Sequence, residues 1–216
     1  MNDSATELRE VGWIRLEAVD ASETTLEIAR RLGTISTISG VTQVQELVPR
    51  SVDQLSASSY GGIYGLGPFP LHTDMAHWFI PPRYILLRCV RPAPEVMTLA
   101  LHFQDLFDGE EATAVRRALF RPRRRIDGRL TSLRLHDNGI YRWDPAFILP
   151  ITKNAANLRE RIHRRIDTAI VTKLSLEEPT NCILLDNWSV LHGRTEVPPR
   201  CIHRKLERVY LDTVKP

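Results

Sequence analysis

The chain has 216 residues, of which 43% are hydrophobic and 25% are charged. That balance is typical of a globular protein and excludes a disordered tail, a collagen-like repeat and a disulfide-stapled miniprotein. The length predicts one domain over residues 1–216 and is short for a (β/α)₈ barrel, which usually needs about 250 residues.

The formal net charge is +3, and only four of the 29 basic residues are lysines. Eight arginines fall within residues 116–134. Such a cluster can hold phosphates or an anionic substrate. The alternative is a solvated loop, offset by Asp108, Glu110 and Glu111.

Several features favour a cytoplasmic location. No apolar run approaches the roughly 18 residues that would span a bilayer, so we expect no membrane segment. The polar, acidic start of the chain does not resemble a secretory signal. The cysteines, Cys89, Cys182 and Cys201, are odd in number and widely spaced, and we expect reduced thiols.

The first half of the chain predicts a strand, a helix and a long loop. Residues 11–17 alternate as in a strand, and Ser22 is a candidate N-cap for a helix that runs to Arg31, with Gly33 as its C-cap. Residues 34–48 read as extended, and the glycines and prolines of 56–70 predict a loop.

The second half is richer in strands than in helices. The helices are predicted over 110–119 and 158–174, and the strands over 83–90, 97–103, 129–135, 181–187 and 205–212. Many strands with few helices favour a β-sandwich or jelly roll flanked by helices, and the irregular alternation disfavours a Rossmann-type sheet.

Candidate metal ligands occur at His72 and Asp74, which point to the same face of an extended segment. Divalent iron with open coordination positions takes two histidines and one carboxylate. His192 is the proposed third ligand, 118 residues beyond Asp74 and directly before a glycine. The alternative for His192 is a hydrogen-bonded turn residue.

The last predicted strand places Arg204, Leu206, Arg208 and Tyr210 on one face. If the leucine and the tyrosine point inward, both arginines do so too. A buried arginine requires an anion, and a planar guanidinium binds a carboxylate through two parallel hydrogen bonds.

The order His-x-Asp, a long interval, Leu-His-Gly-Arg and then Arg-x-Leu-x-Arg resembles the TauD/TfdA-like (clavaminate synthase-like) family of iron(II)/2-oxoglutarate-dependent dioxygenases. The resemblance runs from about residue 65 to residue 212. It implies a mainly β fold, the double-stranded β-helix (a cupin-like jelly roll), with flanking helices. It also implies Fe(II), 2-oxoglutarate and O2 as cofactor and cosubstrates.

By this resemblance, His72, Asp74 and His192 are the iron ligands. Arg204 matches the arginine that binds the distal carboxylate of 2-oxoglutarate. Thr98 matches a threonine on the same carboxylate, with an ordinary strand threonine as the alternative.

The same resemblance suggests where a substrate binds. Residues 104–157 are the expected lid or insert, and Arg208 resembles an arginine that binds an anionic group of the substrate. The alternative for Arg208 is a structural ion pair with Glu207 or Asp212. Candidate pocket residues, each with a core or turn salt-bridge alternative, are His77, Trp78, Arg142 and Asp144.

The predicted activity is hydroxylation, or a related oxidation, of a small amino-acid-like or acidic metabolite, with release of succinate and CO2. A non-catalytic jelly-roll binding or sensor protein that retains the metal motif is the alternative. Nucleic acid is disfavoured as a partner because the arginine cluster lacks interleaved aromatic residues. The site spans 137 residues from His72 to Arg208, so we expect an open pocket or one completed by a second subunit.

Overall fold

The computed structural model describes residues 2–16, 19–54, 59–124 and 131–215. Within these ranges the chain forms five α-helices, α1 to α5, and three short 3₁₀ turns. In chain order, the helices are Asn2–Val11, Thr25–Leu32, Tyr60–Tyr64, Gly109–Arg117 and Lys153–Thr168. The 3₁₀ turns are Val52–Gln54, Phe103–Leu106 and Pro199–Cys201.

The same ranges contain fifteen strands, β1 to β15. They are Trp13–Leu16, Gly33–Ile35, Gln45–Leu47, Phe69–His72, Tyr84–Arg91, Thr98–His102, Leu119–Pro122, Leu133–Arg134, His136–Asp137, Ile140–Tyr141, Ile148–Pro150, Thr172–Leu174, Cys182–Asp186, Val190–Arg194 and Lys205–Val214.

Two antiparallel sheets pack face to face and confirm the predicted jelly roll. The larger sheet has the order β1-β13-β5-β15-β2, with β3 also paired to β15, and the smaller has the order β12-β6-β14-β4. The core between them includes Ile85 and Tyr210 from the larger sheet and Ala100 and Val190 from the smaller. Burying apolar side chains between the two inner faces stabilises this arrangement.

Both sheets are covered on their outer faces too. Helices α1 and α2 contribute Leu8 and Ile28 to a second core against the larger sheet. Helices α4 and α5 and the small sheet β11-β7-β8 form a third core against the smaller sheet. The predicted insert, residues 104–157, supplies much of this third core, and its role as a lid stays a prediction.

The predicted helix over 158–174 is wrong at both ends. Helix α5 starts at Lys153 and ends at Thr168, and Thr172–Leu174 instead form β12 on the edge of the smaller sheet. The four-residue spacing of apolar residues continues through Ile170. That side chain is 96% exposed, so the spacing does not mark a buried helix face at this point. Pairing of β12 with β6 replaces the last helical turn.

Three other boundaries also differ. The cap of α2 is Thr24 rather than Ser22, because Thr24 forms a reciprocal capping box with Glu27. The predicted loop over 56–70 contains α3 and the start of β4. The strand predicted over 129–135 is present only as Leu133–Arg134, and residues 129 and 130 lie outside the described ranges.

None of the described helices is long and apolar enough to cross a membrane. Cys89, Cys182 and Cys201 are all buried and free, in agreement with the expected reduced thiols.

Gly193 permits the close approach of β14 and β4. A Cβ at this position would lie 2.6 Å from the backbone oxygen of Phe69. We expect Gly193→Ala to lower the free energy of unfolding by about 2 kcal/mol, because backbone atoms must move apart. Urea denaturation tests this, with Gly67→Ala as a milder comparison, since its Cβ would meet only the Tyr64 oxygen at 3.1 Å. Equal losses in the two variants would contradict the explanation.

Candidate metal centre

The two sheet strands β4 and β14 bring the predicted metal ligands together. His72, at the end of β4, lies directly opposite His192 of β14. Their ring centroids are 4.5 Å apart, and Asp74 follows two residues after His72. All three side chains are buried, and their candidate ligand atoms lie within 4.8 Å of one another.

The orientation of His72 suits it to share a cation. Its Nδ1 lies 3.0 Å from the Pro70 oxygen, a pure acceptor, so Nδ1 carries the proton. The Nε2 lone pair of the neutral ring then faces Asp74 Oδ1 at 3.2 Å. Two lone pairs at this distance repel each other unless a proton or a metal ion lies between them.

The electrostatics of the cluster agree with this geometry. Burial alone would lower the pKa of His72, but the Asp74 carboxylate outweighs it and raises that pKa above its ordinary value. Burial alone would raise the pKa of Asp74, whereas Arg208 and the two imidazoles hold it well below its usual range. Burial and the neighbouring His72 lower the pKa of His192. At neutral pH the site therefore offers an ionised carboxylate and an uncharged His192.

The backbone of Asp74 is held by Asn187, which is fully buried. The Asn187 Oδ1 accepts from the backbone amide of Asp74 at 2.7 Å, and its Nδ2 donates to the backbone oxygens of Asp74 and Pro82. Met75, the next residue, adopts a φ of 54°, which is uncommon for a residue other than glycine. The side chain of Asn187 thus fixes a strained turn that places the carboxylate. This role of Asn187 was not predicted from the sequence.

We expect Asn187→Ala to lower the free energy of unfolding by about 2 kcal/mol, because it leaves buried backbone groups unpaired. It should also weaken binding of a divalent metal about 10-fold by loosening Asp74. Calorimetric titration with Co(II) and urea denaturation measure the two effects. The matched control is Asn181→Ala, since Asn181 caps the amides of Glu177 and Glu178 instead. A similar fall in metal affinity in both variants would contradict the role of Asn187.

The predicted 2-oxoglutarate arginine, Arg204, is only 6% exposed. Its Nη2 is buried without a hydrogen-bond partner, and no acidic side chain in the described ranges forms an ion pair with it. Burial and the nearby charge of Arg194 lower the pKa of Arg204 to about 10. Burying a guanidinium without a counter-ion is costly, and binding of 2-oxoglutarate by Arg204 stays a prediction.

The predicted partner of Arg204, Thr98, is also buried. It lies opposite Arg194 on the neighbouring strand, as Ala100 lies opposite His192. Because residues two apart share a strand face, Thr98 and the metal cluster lie on the same side of the smaller sheet. Arg194 itself donates to backbone oxygens of Gly65, Leu66, Gly67 and Thr195.

The remaining predicted residues are engaged within the protein. Arg208 Nη1 donates to Asp74 Oδ2 at 2.7 Å, so Arg208 does form the structural ion pair of the alternative, but with Asp74 rather than with Glu207 or Asp212. Arg142 is buried and donates to the oxygens of Ala76, Trp78 and Phe79. It thereby holds the loop that carries two other candidates, His77 and Trp78. Substrate binding by these residues stays a prediction.

Asp144 is 1% exposed and makes no ion pair with Arg142, so the turn salt bridge is also wrong. Its Oδ1 accepts from the amides of Ala146 and Phe147, and its Oδ2 accepts from the Tyr60 hydroxyl. The Tyr60 ring packs 5.3 Å from that of His72 and 4.5 Å from that of Phe147. Tyr60 was missed because it lies in a segment predicted to be a loop.

A cavity of about 360 Å³ lies away from the metal ligands, between the 3₁₀ turn after β6, helix α4 and Tyr141. None of its lining residues belongs to the predicted site, so the chemistry of the donor groups, rather than the size of a cavity, locates the metal centre.

The fold is the jelly roll of the iron- and 2-oxoglutarate-dependent oxygenases, as the sequence resemblance implied. No family model and no curated protein matches the sequence, so this likeness is one of structure.

Three solved structures are representative of that likeness. The first is an asparagine oxygenase with Fe(II), 3-hydroxyasparagine and succinate (19% identity, TM-score 0.70, covering 97% of this chain and 78% of that one). The second is PvcB, from an isonitrile synthetic pathway (19% identity, TM-score 0.66, covering 96% of this chain and 78% of that one). A structure of PvcB from Pseudomonas aeruginosa has 19% identity and a TM-score of 0.65. The third is OrfP with Fe, succinate and (3S)-hydroxy-L-Arg (16% identity, TM-score 0.68, covering 96% of this chain and 77% of that one).

Proposed function

We propose that this protein is an Fe(II)- and 2-oxoglutarate-dependent oxygenase that hydroxylates, or otherwise oxidises, a small amino-acid-like or acidic metabolite. The observation that carries the proposal is the buried His72, Asp74 and His192 cluster inside a jelly roll that also buries an unpaired arginine. A metal centre alone, or a buried arginine alone, would be compatible with a wider range of activities than the two features together.

The residues present fit iron(II). Two imidazoles and one carboxylate are the ligand set of non-haem iron oxygenases and leave positions open for other ligands. His72 Nε2 and Asp74 Oδ1 lie 3.2 Å apart, close enough for both atoms to contact one cation. Iron bound here would activate O2 so that one oxygen atom enters the substrate and the other enters succinate as CO2 leaves.

Residues of this chain would bind and orient 2-oxoglutarate. Arg204, with its free Nη2, and Thr98 are the groups to hold the distal carboxylate of 2-oxoglutarate. A carboxylate there would neutralise the buried guanidinium, so binding and charge compensation occur together. The water-poor surroundings of the three ligands strengthen these electrostatic interactions.

An amino-acid-like substrate is supported by two groups near the cluster. Asp144 is a buried carboxylate without a cationic partner in the described ranges. The Tyr60 hydroxyl donates to it, and the Tyr60 ring packs against the His72 ring. An ammonium or guanidinium group is the complementary ligand. The structural neighbours include proteins crystallised with hydroxylated asparagine and hydroxylated arginine.

The experiment that tests this function combines spectroscopy with turnover. Anaerobic addition of Fe(II) and then 2-oxoglutarate to the purified protein should give the weak visible charge-transfer band of the chelate. Succinate release is then measured in air over a panel of amino acids and small acids. Mass spectrometry should find a product heavier by one oxygen atom, or lighter by two hydrogens.

Two outcomes would contradict the proposal. The absence of the band at millimolar 2-oxoglutarate would exclude the cosubstrate. A band with no substrate-stimulated succinate over the whole panel would favour the alternative, a binding or sensor protein with the same metal motif.

A further inference from the structure

The carboxylate of Asp74 has two oxygens in different environments. Oδ1 lies 3.2 Å from His72 Nε2. Oδ2 accepts from the Tyr210 hydroxyl at 3.0 Å and from Arg208 Nη1 at 2.7 Å. His192 Nε2 also lies on the side of Oδ2, at 3.6 Å, which is beyond hydrogen-bond distance. Arg208 and Tyr210 are therefore the two donors to Oδ2, and Oδ1 accepts from neither of them.

Both donors come from one rigid element. Arg208 and Tyr210 are two residues apart on β15 and therefore point to the same face, and β15 is paired with β5 from Lys205 to Leu211. The Arg208 guanidinium lies 4.8 Å from the centroid of the Tyr210 ring. Gln45, directly opposite Arg208 on β3, accepts from Arg208 Nη2 at 2.6 Å. Tyr210 is 3% exposed and packs in the inner core. These contacts fix both donors before any metal binds.

We infer that Tyr210, together with Arg208, is a positioning residue for the metal centre: the pair holds Oδ2 of Asp74 and so makes Asp74 a one-oxygen ligand through Oδ1. The inference rests on the proposed function and deepens it. A carboxylate that chelated through both oxygens would occupy one more coordination position, and the open positions of this ligand set are the ones that 2-oxoglutarate and O2 require. Hydrogen-bonded partners of metal-binding carboxylates also set metal affinity.

The decisive variant is Tyr210→Phe, which keeps the ring and removes only the hydroxyl. Its matched control is Tyr84→Phe, a buried tyrosine on β5 whose ring packs on the other face of the same sheet. Co(II) serves as the probe because its visible spectrum reports coordination and its binding is measured by calorimetry without turnover. We expect Tyr210→Phe to weaken Co(II) binding about 10-fold and to change the Co(II) spectrum. Tyr84→Phe should change neither.

A second pair of variants keeps the test valid if Tyr210→Phe folds poorly. Arg208→Lys retains a cationic donor and should keep Co(II) affinity close to that of the wild type, whereas Arg208→Met should weaken it about 10-fold or more. Circular dichroism confirms that each variant is folded.

Several results would overturn the inference. One is a Tyr210→Phe protein that matches Tyr84→Phe in both Co(II) affinity and spectrum. Another is an Arg208→Met protein with unchanged Co(II) affinity and a raised KM for substrate, which would make Arg208 a substrate residue. A wild-type protein that binds Co(II) but gives no band with Fe(II) and 2-oxoglutarate would contradict the proposed function alone. One that binds no Co(II) would contradict both.

Discussion

Replacing His192 with alanine should abolish the visible band that the wild-type protein is expected to give with Fe(II) and 2-oxoglutarate. Loss of an imidazole ligand should weaken metal binding by more than about 100-fold, because changes to the partners of ligands alone cost 10–100-fold. Anaerobic titration with Fe(II), followed by absorption spectroscopy, measures both effects. Succinate release should fall to background in the same protein.

The fold should survive this substitution. The His192 Nδ1 is buried without a hydrogen-bond partner, and Asp74 Oδ2, which lies 3.6 Å from His192 Nε2, keeps its hydrogen bonds from Arg208 and Tyr210. The matched control is His163→Ala on α5, where the imidazole packs against the Trp143 ring, 5.0 Å between centroids. We expect the control to keep the band. Persistence of the band in His192→Ala would show that the iron is held elsewhere.

The sequence predicted the parts of this protein that short-range patterns encode. The side chains of His72 and Asp74 meet as predicted, although β4 ends at His72 and Asp74 lies in the turn after it. The alternation of Arg204 to Tyr210 predicted that both arginines point inward, as the structure has them. These predictions needed only the two-residue period of a strand and the high cost of burying an unpaired charge.

What the sequence left open depends on contacts between distant residues. The family resemblance, rather than a local pattern, predicted that His192 meets His72, and the hydrogen bonds of Asn187 to Asp74 were not predicted. Both contacts join segments more than 100 residues apart. The end of α5 was misjudged because strand pairing by Thr172–Leu174 replaced a helical turn that the apolar spacing alone would allow. The support that the Arg142 guanidinium gives to the loop after Asp74 is not encoded locally either, and its role in the substrate pocket stays a prediction. Local patterns do not reveal which backbone oxygens a buried arginine will meet.

Arg204→Met is expected to have two effects of opposite sign. Binding of 2-oxoglutarate should weaken about 30-fold or more, since removing one partner of a buried charged pair costs about 2–5 kcal/mol. The protein without ligand should become more stable, because the side chain that is lost is a buried guanidinium with no counter-ion. Thermal denaturation with and without 2-oxoglutarate, in the presence of Co(II), measures both effects. The wild type should gain stability with ligand concentration, and the variant should not.

The opposite signs separate anion binding from a structural role. If Arg204 held the fold together, the variant would lose stability in the absence of 2-oxoglutarate. The matched control is Arg200→Met, the same substitution four residues earlier, where the guanidinium is exposed and pairs with Glu95. That exposed pair should contribute little, so the control should keep both its stability and its response to 2-oxoglutarate. A destabilised Arg204→Met protein that still gains stability with 2-oxoglutarate would place the cosubstrate carboxylate on another residue, and Arg194, whose guanidinium lowers the pKa of Arg204, would be the next to test.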